Sequence, residues 1–407
     1  MHGRKKSDLP QTKEEKDAVK AKISNYKKAS AIRYKRANGQ LDGEYKQLLG
    51  KLLRLHPDYY SMWNFRKEAV LAELDRIGGG SGGIGEREAR PKSGREEMAA
   101  EGEGGCEAQE VLLRGVYQEE LTLSVDCIKR NPKSYPAWHH HKWAMERGLS
   151  LLGGRSALLE DLALCAQFLE LDGRNFHCWA HRMWVAERMG LSAQEEFDFT
   201  TDKIKQARSM TEYTTANYSA FHFRSKVLPR MVEEAGHDRW QLLSDELHLT
   251  HDAMFTEPAD QSVWWYHHFL LTWAEEGATS DEERYAERYE DALRGEAATL
   301  EELIEVEGRC KWAELALLLV SQRLANALEP RPEPPRQEPV GSGASGEVSA
   351  ESGGGAEACK VRESCRVMAA RLSELDPMHG RFYEFIARGG SVFGGGARGP
   401  ADETKEG

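Results

Sequence analysis

The chain holds 407 residues, 40% hydrophobic and 30% charged, with a formal net charge of −12. That is enough apolar content for a substantial core, and the wrong sign for a protein that grips nucleic acid across its whole surface. No segment approaches the ~20 apolar residues of a membrane span, and residues 313–320, the longest apolar run, are interrupted by Glu314. The start, Met1-His2-Gly3-Arg4-Lys5-Lys6, lacks the apolar run of a signal peptide. The seven cysteines are odd in number and scattered, with none in a Cys-x-x-Cys pair. That usage fits a reducing, cytoplasmic compartment and argues against both a disulfide framework and a zinc ribbon.

Taken in chain order, residues 1–36 form a basic arm, with twelve Lys and Arg against four Asp and Glu. Residues 37–77 carry helical spacing, seen in Tyr45, Leu48, Leu49, Leu52 and Leu55. Residues 78–105 are dominated by Gly, Glu and Arg and read as a disordered insertion. Helical periodicity resumes over 106–328, as in Leu158, Leu159, Leu162, Cys165, Phe168 and Leu169. A second insertion, rich in Pro, Gly and Ser, spans 329–358. A helical segment over 359–388 and a disordered tail over 389–407 complete the chain. No stretch alternates with a period of two, so the fold class is all-α.

An internal repeat organises these helices. Trp63, Trp138, Trp179, Phe221 and Trp264 serve as anchors, and the last three steps between them are 41, 42 and 43 residues. The first step, of 75 residues, is lengthened by the Gly-rich insertion. Three positions after each anchor stands Arg66, His141, Arg182, Arg224 or His267; three positions before stands Tyr60, Tyr135, Phe176, Tyr218 or, exceptionally, Gln261. This period predicts an α-α repeat solenoid of helical hairpins stacked into a superhelix, because no single hairpin buries its own apolar face. Positions i−3, i and i+3 share a helix face, so aromatic, anchor and base are expected in one stripe, the base capping or pairing with the preceding turn.

The pattern Asn-aromatic-x-x-Trp-x-x-Arg resembles the protein prenyltransferase alpha-subunit repeat. Here it stands as Asn175-Phe176-His177-Cys178-Trp179-Ala180-His181-Arg182 and Asn217-Tyr218-Ser219-Ala220-Phe221-His222-Phe223-Arg224. Met1-His2-Gly3-Arg4, Asn131-Pro132-Lys133-Ser134-Tyr135, Asp260-Gln261-Ser262-Val263-Trp264 and Asp376-Pro377-Met378 are similar to the branch of that family that acts on Rab GTPases. Departures are His141 at an Arg position and Phe221 at a Trp position.

The resemblance implies a right-handed crescent around a beta subunit, which holds the catalytic zinc and most of the isoprenoid pocket. It implies transfer of geranylgeranyl from geranylgeranyl diphosphate to the C-terminal cysteines of Rab GTPases presented by Rab escort protein. Carried onto this chain, it assigns Lys133, Tyr135 and His177 to stabilising the leaving diphosphate, where positioned cations and donors lower the barrier. Phe176 lacks the hydroxyl that the related farnesyltransferases carry and is expected in the core. His139, His140 and His141 point about 100° apart along a helix and cannot share one metal, so no metal site is assigned to this chain. Two alternatives stay open: the alpha subunit shared by farnesyltransferase and type I geranylgeranyltransferase, against which Met1-His2-Gly3-Arg4 and Phe176 argue, and a non-catalytic repeat adaptor.

Overall fold

The computed structural model of the chain describes residues 12–78, 103–210, 217–278, 283–329 and 353–390. Its helix boundaries follow capping chemistry. Asp42 accepts from the Tyr45 main chain and starts α2 (Gly43–Leu55). Asn175 accepts from the main chains of His177 and Cys178 and starts α7 (Phe176–Met189). Asn217 and Asp238 start α9 (Tyr218–Glu233) and α10 (Arg239–Thr256) in the same way. Each side-chain oxygen satisfies an N–H that has no partner within its helix. α7 ends at Gly190, whose φ of 66° is the left-handed conformation that closes a helix. Among the described residues all regular structure is helical.

Two compact units divide the chain after Leu191. The first contains α1 (Lys13–Ala37), α2, α3 (Tyr60–Ile77), α4 (Glu103–Arg130), α5 (Tyr135–Gly148), α6 (Arg155–Leu171) and α7. Its hairpins are α2–α3, α4–α5 and α6–α7, and the second helix of each touches the second helix of the next. The second unit contains α8 (Ala193–Met210), α9, α10, α11 (Gln261–Ala278), α12 (Glu283–Glu307), α13 (Lys311–Ala327), α14 (Gly353–Leu375) and α15 (Gly380–Ala387). It repeats that scheme with α8–α9, α10–α11 and α12–α13. α14 and α15 then cover α13 through Cys365, Ala369, Leu372, Tyr383 and Ile386 around Leu318. The first eleven residues of the basic arm, most of both insertions and the tail beyond Gly390 lie outside the described residues. α4 and α14 begin at Glu103 and Gly353, inside the last residues of the two expected insertions.

Within each unit one polar device joins neighbouring hairpins, seen three times among the described residues. Glu120 on α4 accepts from Arg66 on α3, at 2.9 Å from Nε and 2.6 Å from Nη2, and from His140 on α5 at 3.0 Å. Asp161 on α6 accepts from His141 on α5 at 2.9 Å and from His181 on α7 at 2.7 Å. Glu246 on α10 accepts from both arms of Arg224 on α9 and from the Tyr266 hydroxyl on α11, each at 2.6 Å. In every case the anchor aromatic of one hairpin packs on the donor ring from the next: Trp63 on His140 at 4.6 Å, Trp138 on His181 at 5.5 Å, Phe221 on Tyr266 at 5.0 Å. Glu296 on α12 closes the series with bonds to His267 and His251.

A second device ties each tryptophan to the loop before it. The indole N–H of Trp63, Trp138, Trp179 and Trp264 donates to the carbonyl six residues earlier: Pro57, Pro132, Gly173 and Pro258, at 2.7–2.9 Å. These indoles are buried, and a buried N–H left without an acceptor is costly.

Two expectations from the repeat pattern need correction. The base at i+3 does not cap the preceding turn; Arg66, His141 and Arg224 reach a carboxylate on the following helix. The aromatic at i−3 does not join the buried stripe either. Tyr60, Tyr135, Phe176 and Tyr218 are each the first residue of a helix and are half exposed or more, Phe176 at 50% rather than in the core. A side chain there leans back past the helix end, beyond the turn that packs on the next hairpin.

The rungs titrate in a defined order. Burial opposes the charge of Glu120, but the bonds from His140 and Arg66 outweigh it and bring its carboxyl down to about 2. Burial likewise opposes the charge of Glu296, yet its two histidines bring that carboxyl down to about 2. Burial holds His140 and His181 below the ordinary histidine range, more than their carboxylates raise them. These two imidazoles are therefore neutral donors to charged acids. An unfolded chain takes up protons on such histidines first, so their contribution is complete above a pH of about 6.5 and is lost as pH falls. The carboxylates add stability above a pH of about 4.3 that is lost toward 2. The melting temperature is expected to fall between pH 7 and pH 5 and to drop further below pH 4; an unchanged value from pH 7 to pH 5 would contradict this ordering. Removing the acid of one rung, as in Glu120→Ala, leaves Arg66 buried without its main partner and is expected to cost about 3–5 kcal/mol in denaturant unfolding. The exposed Lys20→Ala control should stay within about 0.5 kcal/mol.

Candidate functional site

The loops that start α5 and α7 carry the residues assigned to anion stabilisation. Lys133 sits two residues before α5, its main-chain N–H donating to Asn131 Oδ1 at 3.2 Å. Its side chain is 70% exposed, with Nζ 3.8 Å from Asp172 in the next loop. An ion pair so exposed contributes little to stability. Tyr135 is the first residue of α5 and His177 the second of α7. Their rings meet edge to face with centroids 4.1 Å apart. Phe176 lies 4.0 Å from the His177 ring and 5.9 Å from Tyr135, closing one side of the group. The structure thus brings Lys133, Tyr135 and His177 together at two adjacent helix starts, where the positive ends of the helix dipoles favour negative charge.

His177 is the buried member, at 8% exposure, and its Nε2 has no hydrogen-bond partner among the described residues. Burial lowers its pKa; a hydrogen bond to the Lys133 main chain raises it, and the Lys133 ammonium lowers it again. At neutral pH the ring is therefore uncharged. An anion arriving at Nε2 would favour the protonated ring, so binding and protonation reinforce each other. An ammonium, a phenol and an imidazole that charges on contact suit a ligand with several anionic oxygens.

Asn175, the first residue of the repeat motif, and Asp172, which lies outside it, sit among these groups. Asn175 is buried at the start of α7, and Asp172 stands beside the lysine. For Asn175 the Asx position just before α7 is a further signal, whereas Asp172 ends α6 and carries none.

His141, Asp161 and His181 offer three ligand atoms within 4.8 Å of one another, a spacing a metal ion can use. Their bonds match those of Arg66, Glu120 and His140 one hairpin earlier, where a guanidinium leaves no room for such a role. We therefore assign the trio to the scaffold. The three consecutive histidines face separate surroundings: His139 is exposed against Lys67, His140 holds Glu120 and His141 holds Asp161. Cys127, Cys165, Cys178, Cys310, Cys359 and Cys365 are free thiols. No described helix is long and apolar enough to cross a membrane.

Ring-carbon NMR of labelled histidine is expected to show His177 titrating below the usual 6.5. Lys133→Ala should shift it upward by removing the nearby cation. An unshifted His177, or one indifferent to Lys133, would break the electrostatic link between them.

A model of the protein prenyltransferase alpha subunit repeat matches residues 46–72, 117–148, 158–189 and 243–274. These matches fall on four hairpins anchored by tryptophan. The chain is similar to the geranylgeranyl transferase type-2 subunit alpha of Mus musculus, 34% identical over 283 residues, which covers 68% of this chain and 42% of the relative. The Homo sapiens protein of the same name is 34% identical over 279 residues, covering 67% and 42%. The Dictyostelium discoideum protein is 29% identical over 327 residues, covering 79% and 88%. The chain thus spans less than half the length of the mammalian relatives it matches and most of the Dictyostelium one. Among solved structures, Candida albicans protein geranylgeranyltransferase-I complexed with GGPP superposes with a TM-score of 0.54 at 11% identity, covering 95% of this chain and 94% of that one, which shows a shared fold. The repeat matches, the relatives and the fold agree with the motif: the chain belongs to the protein prenyltransferase alpha-subunit repeat family.

Proposed function

We propose that this chain is the alpha subunit of a cytoplasmic, heterodimeric Rab geranylgeranyltransferase. It pairs with a beta subunit that supplies the zinc and the isoprenoid pocket. The reaction joins geranylgeranyl, from geranylgeranyl diphosphate, to C-terminal cysteines of Rab GTPases presented by Rab escort protein. The observation that carries this reading is the convergence of Lys133, Tyr135 and His177 on neighbouring helix starts, in a chain similar to the type-2 subunits. The half-exposed aromatics Tyr60, Tyr135 and Phe176 support a partner that covers these helix starts.

In the reaction a carbon–sulfur bond forms as the carbon–oxygen bond to diphosphate breaks, and the electron pair leaves with the diphosphate. Zinc in the partner would favour the cysteine thiolate. This chain's share lies on the leaving group. The Lys133 ammonium compensates the growing charge, the Tyr135 hydroxyl donates a hydrogen bond, and His177 donates once protonated at Nε2.

Co-expression tests the pairing: a type-2 beta subunit should co-purify with this chain as a 1:1 heterodimer. Capture of a farnesyltransferase beta subunit, or of none, would overturn it. In the heterodimer, Lys133→Ala and His177→Ala are each expected to slow single-turnover transfer about tenfold, below the ~10²-fold typical of a lone donor because several groups share the charge. Tyr135→Phe should have a milder effect, and the melting temperature should stay nearly constant in all three. Full transfer rates in the Lys133 and His177 variants would remove this chain from the active site.

A further inference from the structure

We propose that Asn175 is a positioning residue for this site, holding the lysine-bearing loop and the histidine-bearing helix start in one fixed register; the inference rests on the diphosphate role given above to Lys133 and His177. Asn175 is 1% exposed and uses both ends of its amide. Its Oδ1 accepts from the main-chain N–H of His177 at 3.1 Å and of Cys178 at 3.3 Å, which fixes the first turn of α7. Its Nδ2 donates to the Pro132 carbonyl at 2.9 Å, on the residue immediately before Lys133. The same carbonyl accepts from the Trp138 indole at 2.8 Å. The peptide leading into Lys133 is thereby clamped between the anchor of its own hairpin and the cap of the next.

The preceding pair of hairpins shows what this clamp adds. There the Pro57 carbonyl accepts from the Trp63 indole and from the Ser134 hydroxyl, at 2.7 and 3.1 Å. Ser134 holds its neighbour in place but makes no side-chain cap to α5. Asn175 does both, and it does so where the two site residues lie on opposite sides of the joint. Helix capping needs only an oxygen, which Asp and Ser provide about as well as Asn. The amide donor to Pro132 is what capping leaves unexplained.

The test separates these two functions. Asn175→Asp keeps the capping oxygen and replaces the donor with an oxygen that the Pro132 carbonyl repels. Asn175→Ser keeps a cap but is too short to span the loops, and serves if the acid is not tolerated. In the heterodimer with its beta subunit, with geranylgeranyl diphosphate and escort-bound Rab as substrates, Asn175→Asp is expected to slow single-turnover transfer about tenfold with little change in melting temperature. Asn217→Asp, the equivalent change at the start of α9, where no site residue lies, should keep the wild-type rate. Combined with Lys133→Ala, the loss should be well short of the product of the two single losses, because both act on the same group. A wild-type rate for Asn175→Asp, or losses that multiply fully with Lys133→Ala, would overturn the proposal. If Lys133→Ala itself transfers at the wild-type rate, the diphosphate reading fails, and the His177 titration decides on positioning alone. It should move up toward the ordinary histidine range in Asn175→Ser, which adds no charge beside the ring, as the ring loses its cover, and a fixed titration would then refute the clamp.

Discussion

A carboxylate buried between three helices is the constraint on which the rest of this structure depends. Such a group is tolerated only when its charge is paired and its oxygens are bonded. Glu120, Asp161 and Glu246 meet this condition by drawing one donor from the hairpin behind and one from the second helix of their own hairpin. Each acid therefore sets the register of its own two helices and of the hairpin behind at once, which apolar packing alone leaves free to slide. The donors vary while the scheme does not: Arg with His at Glu120, two His at Asp161, Arg with Tyr at Glu246. The hairpin anchored on Phe221 keeps this contact although its anchor lacks the indole N–H of the other four.

The candidate site is a by-product of that register. Holding successive hairpins at a fixed offset places the loop before α5 beside the loop before α7, and the tryptophan indoles pin each loop through its carbonyl. Lys133 is then free to extend from an ordered peptide, while the first turn of α7 presses His177 against Tyr135. The scaffold supplies the rigidity that an electrostatic site needs, because donors held in place require no rearrangement when charge develops. The half-exposed aromatics at the helix starts belong to the same geometry, since each is the residue that the stacking of its hairpin leaves uncovered.

Much of this is legible in the amino-acid sequence. The anchors, the all-α class and the trio Lys133, Tyr135 and His177 follow from the period and the family motif. The rungs do not, although a regularity is present: Glu120, Asp161 and Glu246 each stand eighteen positions before the next anchor, and His140, His181 and Tyr266 two positions after it. In an acidic chain with many surface carboxylates, nothing local marks those three as buried; their role is fixed by a helix far away in sequence. The exposure of Phe176 escapes the pattern for a related reason. Helical spacing tells which residues share a face, but not whether the neighbouring hairpin extends far enough to cover the first one.

Hydrogen exchange at the tryptophan indoles of Asp161→Asn tests the central claim most directly. That substitution weakens one rung and leaves every anchor in place. If the rung sets the register of its two hairpins, the indole protons of Trp138 and Trp179 should exchange at least about tenfold faster, in line with the ~1–3 kcal/mol cost of an unpaired buried group. Those of Trp63 and Trp264, held by other rungs, should keep their wild-type rates. Unchanged exchange at all four, or an equal acceleration at all four, would show that apolar packing holds the hairpins and that the buried carboxylates do not set their register.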